Sequence, residues 1–151
     1  RTRDQWGPPD ATAPPGVGEI HCRRYHCQRC GAVAQVVPRG ILGRRLYSAA
    51  AIALALALWG VEGLVPAEVR RRVSPWRRVG ATAAASWASL RRWARAVRAA
   101  ALFARVRATS AGARLREVAA RAVTTLAAFA PSSADALSLT TRAVLGAAHV
   151  S

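Results

Sequence analysis

Apolar residues change their spacing along this chain, and each change of rhythm predicts an element. Residues 48–60 read SAAAIALALALWG, apolar almost without interruption, with Ser48 placed as an N-cap and Gly60 placed just past the C-terminus. The pattern predicts a helix from Ala49 to Trp59 that is hydrophobic on all sides and therefore buried. Pro66 suits a first helical turn, and Val69 and Val73 stand four apart, so a short helix over Pro66–Val73 turns Arg70, Arg71 and Arg72 outward. In the stretch from Ser86 to Arg98 and just beyond, Leu90, Trp93, Ala94, Val97 and Ala101 form one apolar stripe. Arg91, Arg92, Arg95 and Arg98 take the other side. Two more helices are expected, Ala113 to Ala130 and Ala134 to Ala148, separated by Pro131.

Before Ser48 the rhythm is different. GEIHCRRYHC and GAVAQVVPRGIL predict two short strands on either side of a cysteine turn. Residues 1–19 carry four prolines and three glycines with little apolar periodicity, and so read as an extended leader or linker. The division that follows is a leader over 1–19, a zinc-ribbon-like segment over 20–43, a helical core over 44–98, and C-terminal helices over 99–151 packing on it. The fold class expected is mainly α, a helix-turn-helix-like bundle preceded by a short and incomplete zinc-ribbon β-hairpin.

Composition strengthens the helical expectation and adds a charge. The chain is 52% hydrophobic but only 6% aromatic, and much of its apolar content is alanine, a helix former. Its 23 basic residues, all arginine, face 7 acids, a net charge of +16 that points to a polyanionic partner, nucleic acid before anionic membrane. No Asp or Glu occurs between Val69 and Leu115, so the arginines of Ser86–Arg98 have no acidic partners along their own segment. Unpaired like charges repel along a helix, which makes this face a poor case of simple solvation. The uncharged run from Leu46 to Val61 is shorter than the ~20 residues a spanning helix needs, and Glu62 follows it.

The candidate chemistry is concentrated in HCRRYHCQRCG, residues 21–31. Cys27-x-x-Cys30-Gly31 has the spacing of a zinc knuckle, in which two thiolates on a tight turn hold one side of a tetrahedral Zn2+. Arg1 to Ile20 offer no further Cys or His, so Cys22, with His21 or His26, is the local candidate to complete the set. Reduced surface thiols are the competing reading, and three cysteines without a signal peptide suggest a reducing compartment.

The order of these motifs resembles the zinc-ribbon plus helix-turn-helix modules of bacterial transposase-related proteins over about residues 23–98. The residues that carry the likeness are Tyr25-His26-Cys27-Gln28-Arg29-Cys30-Gly31, then Arg44-Arg45-Leu46-Tyr47-Ser48 leading a helix, then Ser89-Leu90-Arg91-Arg92-Trp93. The resemblance implies a non-catalytic protein of the bacterial cytoplasm and nucleoid that binds double-stranded DNA. Arg91, Arg92, Arg95 and Arg98 would enter a groove while Arg70, Arg71, Arg72, Arg77 and Arg78 hold phosphates.

Other classes are weaker. A metal-dependent nuclease needs carboxylates converging on Mg2+. The acids, Asp4, Asp10, Glu19, Glu62, Glu68, Glu117 and Asp135, show no such spacing. Two binding alternatives stand: a peripheral membrane protein with Ala49–Trp59 inserted among anionic lipids, and a helical module meeting an acidic protein through its arginine face. Among the tryptophans, Trp59 and Trp93 fall on apolar faces and read as core. Trp76, between Pro75 and Arg77-Arg78, is the candidate for a stacked contact.

Overall fold

The computed structural model describes residues 2–43, 45–77, 80, 86–107 and 109–150. Among these, four strands and five α-helices follow one another: β1 (Thr2–Gly7), β2 (Gly16–His21), β3 (Arg23–His26), β4 (Val33–Val36), α1 (Ala49–Gly60), α2 (Pro66–Val73), α3 (Ala88–Arg98), α4 (Leu115–Ala127) and α5 (Leu139–Ala147). The strands pair as two antiparallel hairpins, β1 with β2 and β3 with β4. The architecture is therefore mixed α and β, which corrects the expected mainly α, helix-turn-helix-like class.

The correction comes largely from the presumed leader. Thr2 to Gly7 pair in register with His21 to Gly16, and this hairpin is stitched to the segment that leads into α1. The Trp6 amide donates to the Leu46 carbonyl at 2.7 Å, and the Ser48 amide donates to the Trp6 carbonyl at 3.1 Å. Gln5 Nε2 donates to the same Leu46 carbonyl at 2.8 Å. Gly7 ends β1 with φ of 105°, a left-handed conformation that glycine adopts without strain, and a Cβ there would stand 2.3 Å from the Ala51 Cβ. The hairpin thus lies directly against the start of α1.

Helix α1 is the centre of the molecule. Ser48 caps it as expected, its Oγ accepting the Ala51 amide at 3.0 Å, and every residue from Ala51 to Trp59 is buried. An alanine-rich helix lets its neighbours come close. A Cβ on Gly60 would stand 2.6 Å from the Ala120 nitrogen of α4, and a Cβ on Gly146 of α5 would stand 1.9 Å from the Leu126 carbonyl oxygen of α4. At both points backbone packs on backbone, so Gly60 is the last residue of the helix rather than the residue beyond its cap, and serves the contact instead of the stop.

The flanking helices present the stripes their sequences predict. Val69 and Val73 of α2, and Leu90, Trp93, Ala94 and Val97 of α3, are buried. Helix α4 is shorter than its apolar pattern suggested, its amino end fixed by the Arg114 amide donating to Glu117 Oε2 at 2.9 Å. Helix α5 starts at Leu139, because a 3-10 turn over Ser132–Ala134 and the Ser138 cap occupy the residues before it. Among the described residues no helix is long and apolar enough to cross a membrane.

Candidate nucleic-acid interface

Burial of one side of α3 fixes what the other side displays. With Leu90, Trp93, Ala94 and Val97 against the core, Arg91, Arg92, Arg95 and Arg98 are exposed. The first three line a hollow of about 310 Å3 together with Ser86, Trp87 and Ala88. Trp87 is the N-cap residue and makes no side-chain cap, and the hollow runs from this end of the helix past Arg91 and Arg92 to Arg95 in its last turn. That combination concentrates positive potential where an anionic oxygen can approach. Ser86 and Trp87 were not predicted as part of this surface. The signal was present in the spacing, since Trp87, Arg91 and Arg95 stand at i, i+4 and i+8.

Arg98 has a different position from its three neighbours. Its Nη2 donates to the Ala113 carbonyl, which ties the end of α3 to the approach to α4. Among the described residues Arg91, Arg92 and Arg95 enter no ion pair; the bridges present join Arg71 and Arg72 to Glu68, and Arg142 to Asp135.

A second basic surface lies at the end of α2. Arg71 and Arg72 both engage Glu68, the latter through Nε at 3.3 Å from Oε1. Arg70 is half-buried, and its Nε and Nη1 are shielded from solvent with no acceptor among the described residues. Arg70, Arg71, Ser74, Trp76 and Arg77 line a hollow of about 160 Å3. Arg78, expected beside them, lies outside the described residues, as does Arg44.

Beneath both surfaces sits a cluster of rings. Tyr47 packs edge-on against Trp6, Trp87 and Trp93 at centroid distances of 5.5, 5.8 and 5.0 Å. Trp76 joins through Trp6 at 5.4 Å, with half of its own surface exposed. Trp59 stands apart, with the Arg116 guanidinium 5.8 Å above its ring. Such T-shaped contacts add to the burial of the rings themselves, and they place the β1 hairpin, α2 and α3 around one tyrosine.

The cysteine turn forms the tip of the β3–β4 hairpin, whose residues are all exposed. The Cys27 amide donates to the Ala32 carbonyl at 2.8 Å and the Gly31 amide to the Cys27 carbonyl at 2.9 Å, with Gly31 at φ of 70°. The Cys30 amide, the Cys30 thiol and the Arg29 amide all point at the Cys27 sulfur, and together they lower its pKa below the ordinary 9.0. The two thiols are thus within hydrogen-bond reach of each other. Cys22 does not join them: it is buried, and the extended strand β3 puts about 16 Å of backbone between it and Cys27. Among the described residues no three His, Cys, Asp or Glu side chains gather closely enough to hold a metal ion. Cys27 and Cys30 thus lie together as half of a Zn2+ ligand set would, while Cys22, expected from sequence beside them, stands at the far end of the strand.

Compared with known proteins, the chain matches no family model, no curated protein and no solved structure.

Proposed function

We propose that this chain is a non-catalytic DNA-binding protein that holds duplex DNA through the exposed arginine face of α3. The observation that carries the reading is the grouping of Arg91, Arg92 and Arg95 around one hollow along the exposed side of α3, without a carboxylate anywhere on that helix. Guanidinium forks match phosphate oxygens and guanine edges, and their surplus charge releases counterions when the duplex is bound. The basic edge of α2 supplies further phosphate contacts. A place in the bacterial cytoplasm, on the nucleoid, follows from this reading and from the resemblance of the motifs to transposase-related proteins.

The membrane alternative required α1 to enter lipid. Ala51 to Trp59 are instead enclosed by protein, with α4 and α5 packed along them, which favours the DNA reading.

Fluorescence anisotropy of a labelled mixed-sequence duplex, followed across a salt series, tests it. Three phosphate contacts from α3 alone give a slope of log K against log salt of about −2.7, and contacts from α2 make it steeper. Binding that is absent, or indifferent to salt, overturns the reading.

A further inference from the structure

The hollow at the end of α2 has features that duplex binding by α3 does not use. Its lining of Arg70, Arg71, Ser74, Trp76 and Arg77 brings three guanidiniums to a space of about 160 Å3. The carboxylate of this helix, Glu68, is engaged by Arg71 and Arg72 and makes no bond to Arg70. Arg70 therefore holds a partly buried charge whose Nε and Nη1 lack acceptors among the described residues, an arrangement that an anion in the adjoining space would neutralise.

Ser74 adds a directed donor. It is buried, and its Oγ accepts the Tyr47 hydroxyl at 3.0 Å and the Trp76 amide at 3.3 Å. A hydroxyl has two lone pairs and one proton, so with both lone pairs occupied the proton is what Ser74 has left to offer. Trp76 also lines the hollow, braced edge-on by Trp6 at an interplanar angle of 73° and still half exposed. The hollow, about 160 Å3, has room for a phosphate group among its guanidiniums. A base attached to that phosphate can lie against the Trp76 ring, which lines the hollow and is half exposed. Within a duplex both faces of a base are covered by its neighbours, so away from the ends only an unpaired base can stack there.

Resting on the DNA-binding reading above, we propose that this hollow is a subsite for the phosphate of one unpaired nucleotide, whose base stacks on Trp76. The protein would then favour duplexes that carry a single-stranded end over blunt ones.

The test uses anisotropy at fixed salt with a blunt duplex and the same duplex bearing a short oligothymidine tail. The full chain should bind the tailed form about tenfold more tightly, the scale of one base stacked on an aromatic ring. Arg70→Met and Trp76→Ala should each abolish that preference, and Arg77→Ala, at an exposed position, serves if either of the first two fails to fold. Arg95→Ala should weaken both duplexes and keep the preference. Titration with thymidine monophosphate, read by tryptophan fluorescence, is independent of duplex binding. The nucleotide should bind, thymidine without phosphate should not, and inorganic phosphate should bind more weakly than the nucleotide. Equal affinity for blunt and tailed duplexes, a preference that survives the α2 variants, or no response to thymidine monophosphate overturns the subsite while leaving duplex binding by α3 standing. Loss of all duplex binding with thymidine monophosphate still bound overturns the α3 reading and keeps a nucleotide site.

Discussion

The hydroxyl of Tyr47 donates to Oγ of Ser74 at 3.0 Å, joining the residue before the cap of α1 to the residue that ends α2. Replacing Tyr47 by Phe removes one buried hydrogen bond while keeping most of the ring contacts, which should cost about 1 kcal/mol, or roughly 3 °C in the unfolding midpoint of a chain this size. Burial raises the Tyr47 pKa above its ordinary 10.0, against smaller opposing effects from Ser74 and Arg70. A raised folded pKa means that the stabilisation is fully present below the unfolded value near 10 and is lost as pH climbs through the folded one. Denaturant titrations between pH 8 and 12 should show the advantage of the parent over Tyr47→Phe shrinking above about pH 10.

Gly146→Ala sets two effects against each other. Alanine gains about 1 kcal/mol in helix propensity, yet its Cβ would meet the Leu126 carbonyl oxygen at 1.9 Å, a backbone atom with little room to move. Overpacking of this kind costs about 1–3 kcal/mol, and more where backbone must separate, so the substitution should lower the melting temperature. Gly43→Ala, with nothing near its Cβ, should not. Calorimetry of the two variants decides the matter.

Arg91→Ala and Arg95→Ala should each reduce the steepness of the salt dependence of duplex binding by about 0.9. Arg105→Ala is the comparison, because its guanidinium lies over the Phe129 ring at 5.6 Å rather than on the α3 surface. Equal losses from all three in the anisotropy series would reject a dedicated α3 face.

Glu68→Gln should act in the opposite direction. It releases Arg71 and Arg72 from an exposed ion pair worth only about 0.5 kcal/mol to stability, and it removes a negative charge from the edge of α2. Duplex affinity at low salt should rise with almost no change in melting temperature, as anisotropy and thermal unfolding measured on the same preparation would show.

Cys27 should be the first thiol alkylated by iodoacetamide near neutral pH, since it is exposed and its thiolate is favoured by the amides of Cys30 and Arg29. Cys30→Ala removes the thiol donor but leaves both amides, so Cys27 should remain the faster site over the buried Cys22, whose labelling should await denaturation. Peptide mapping by mass spectrometry after timed quenching follows both.

Much of the helical part was legible because local chemistry and tertiary demand agree there. Ser48 caps α1, Pro66 opens α2, and the stripe of Leu90, Trp93, Ala94 and Val97 faces inward as its spacing requires. The β1–β2 hairpin was not legible, since TRDQWG alternates weakly and is held by bonds from Trp6 to Leu46 and Ser48, some forty residues on. The α3 arginines could be placed on one face from periodicity alone. The second hollow could not, because it depends on Ser74 being turned inward by Tyr47 and on Trp76 being propped by Trp6. Cys22 looked like a third ligand by proximity in sequence, but an extended strand carries five residues far apart.

The close passage of α4 at Gly60 and Gly146 also governs how the arginine surface can respond to what it touches. Where main chain rests on main chain, the separation of helices is set by atomic radii, and no change of rotamer can widen or narrow it. Helix α3 packs on α4 and so is mounted on the helix that makes both of these main-chain contacts. Fitting the surface to a curved or locally distorted duplex therefore falls to the arginine side chains and to the bending of the DNA itself.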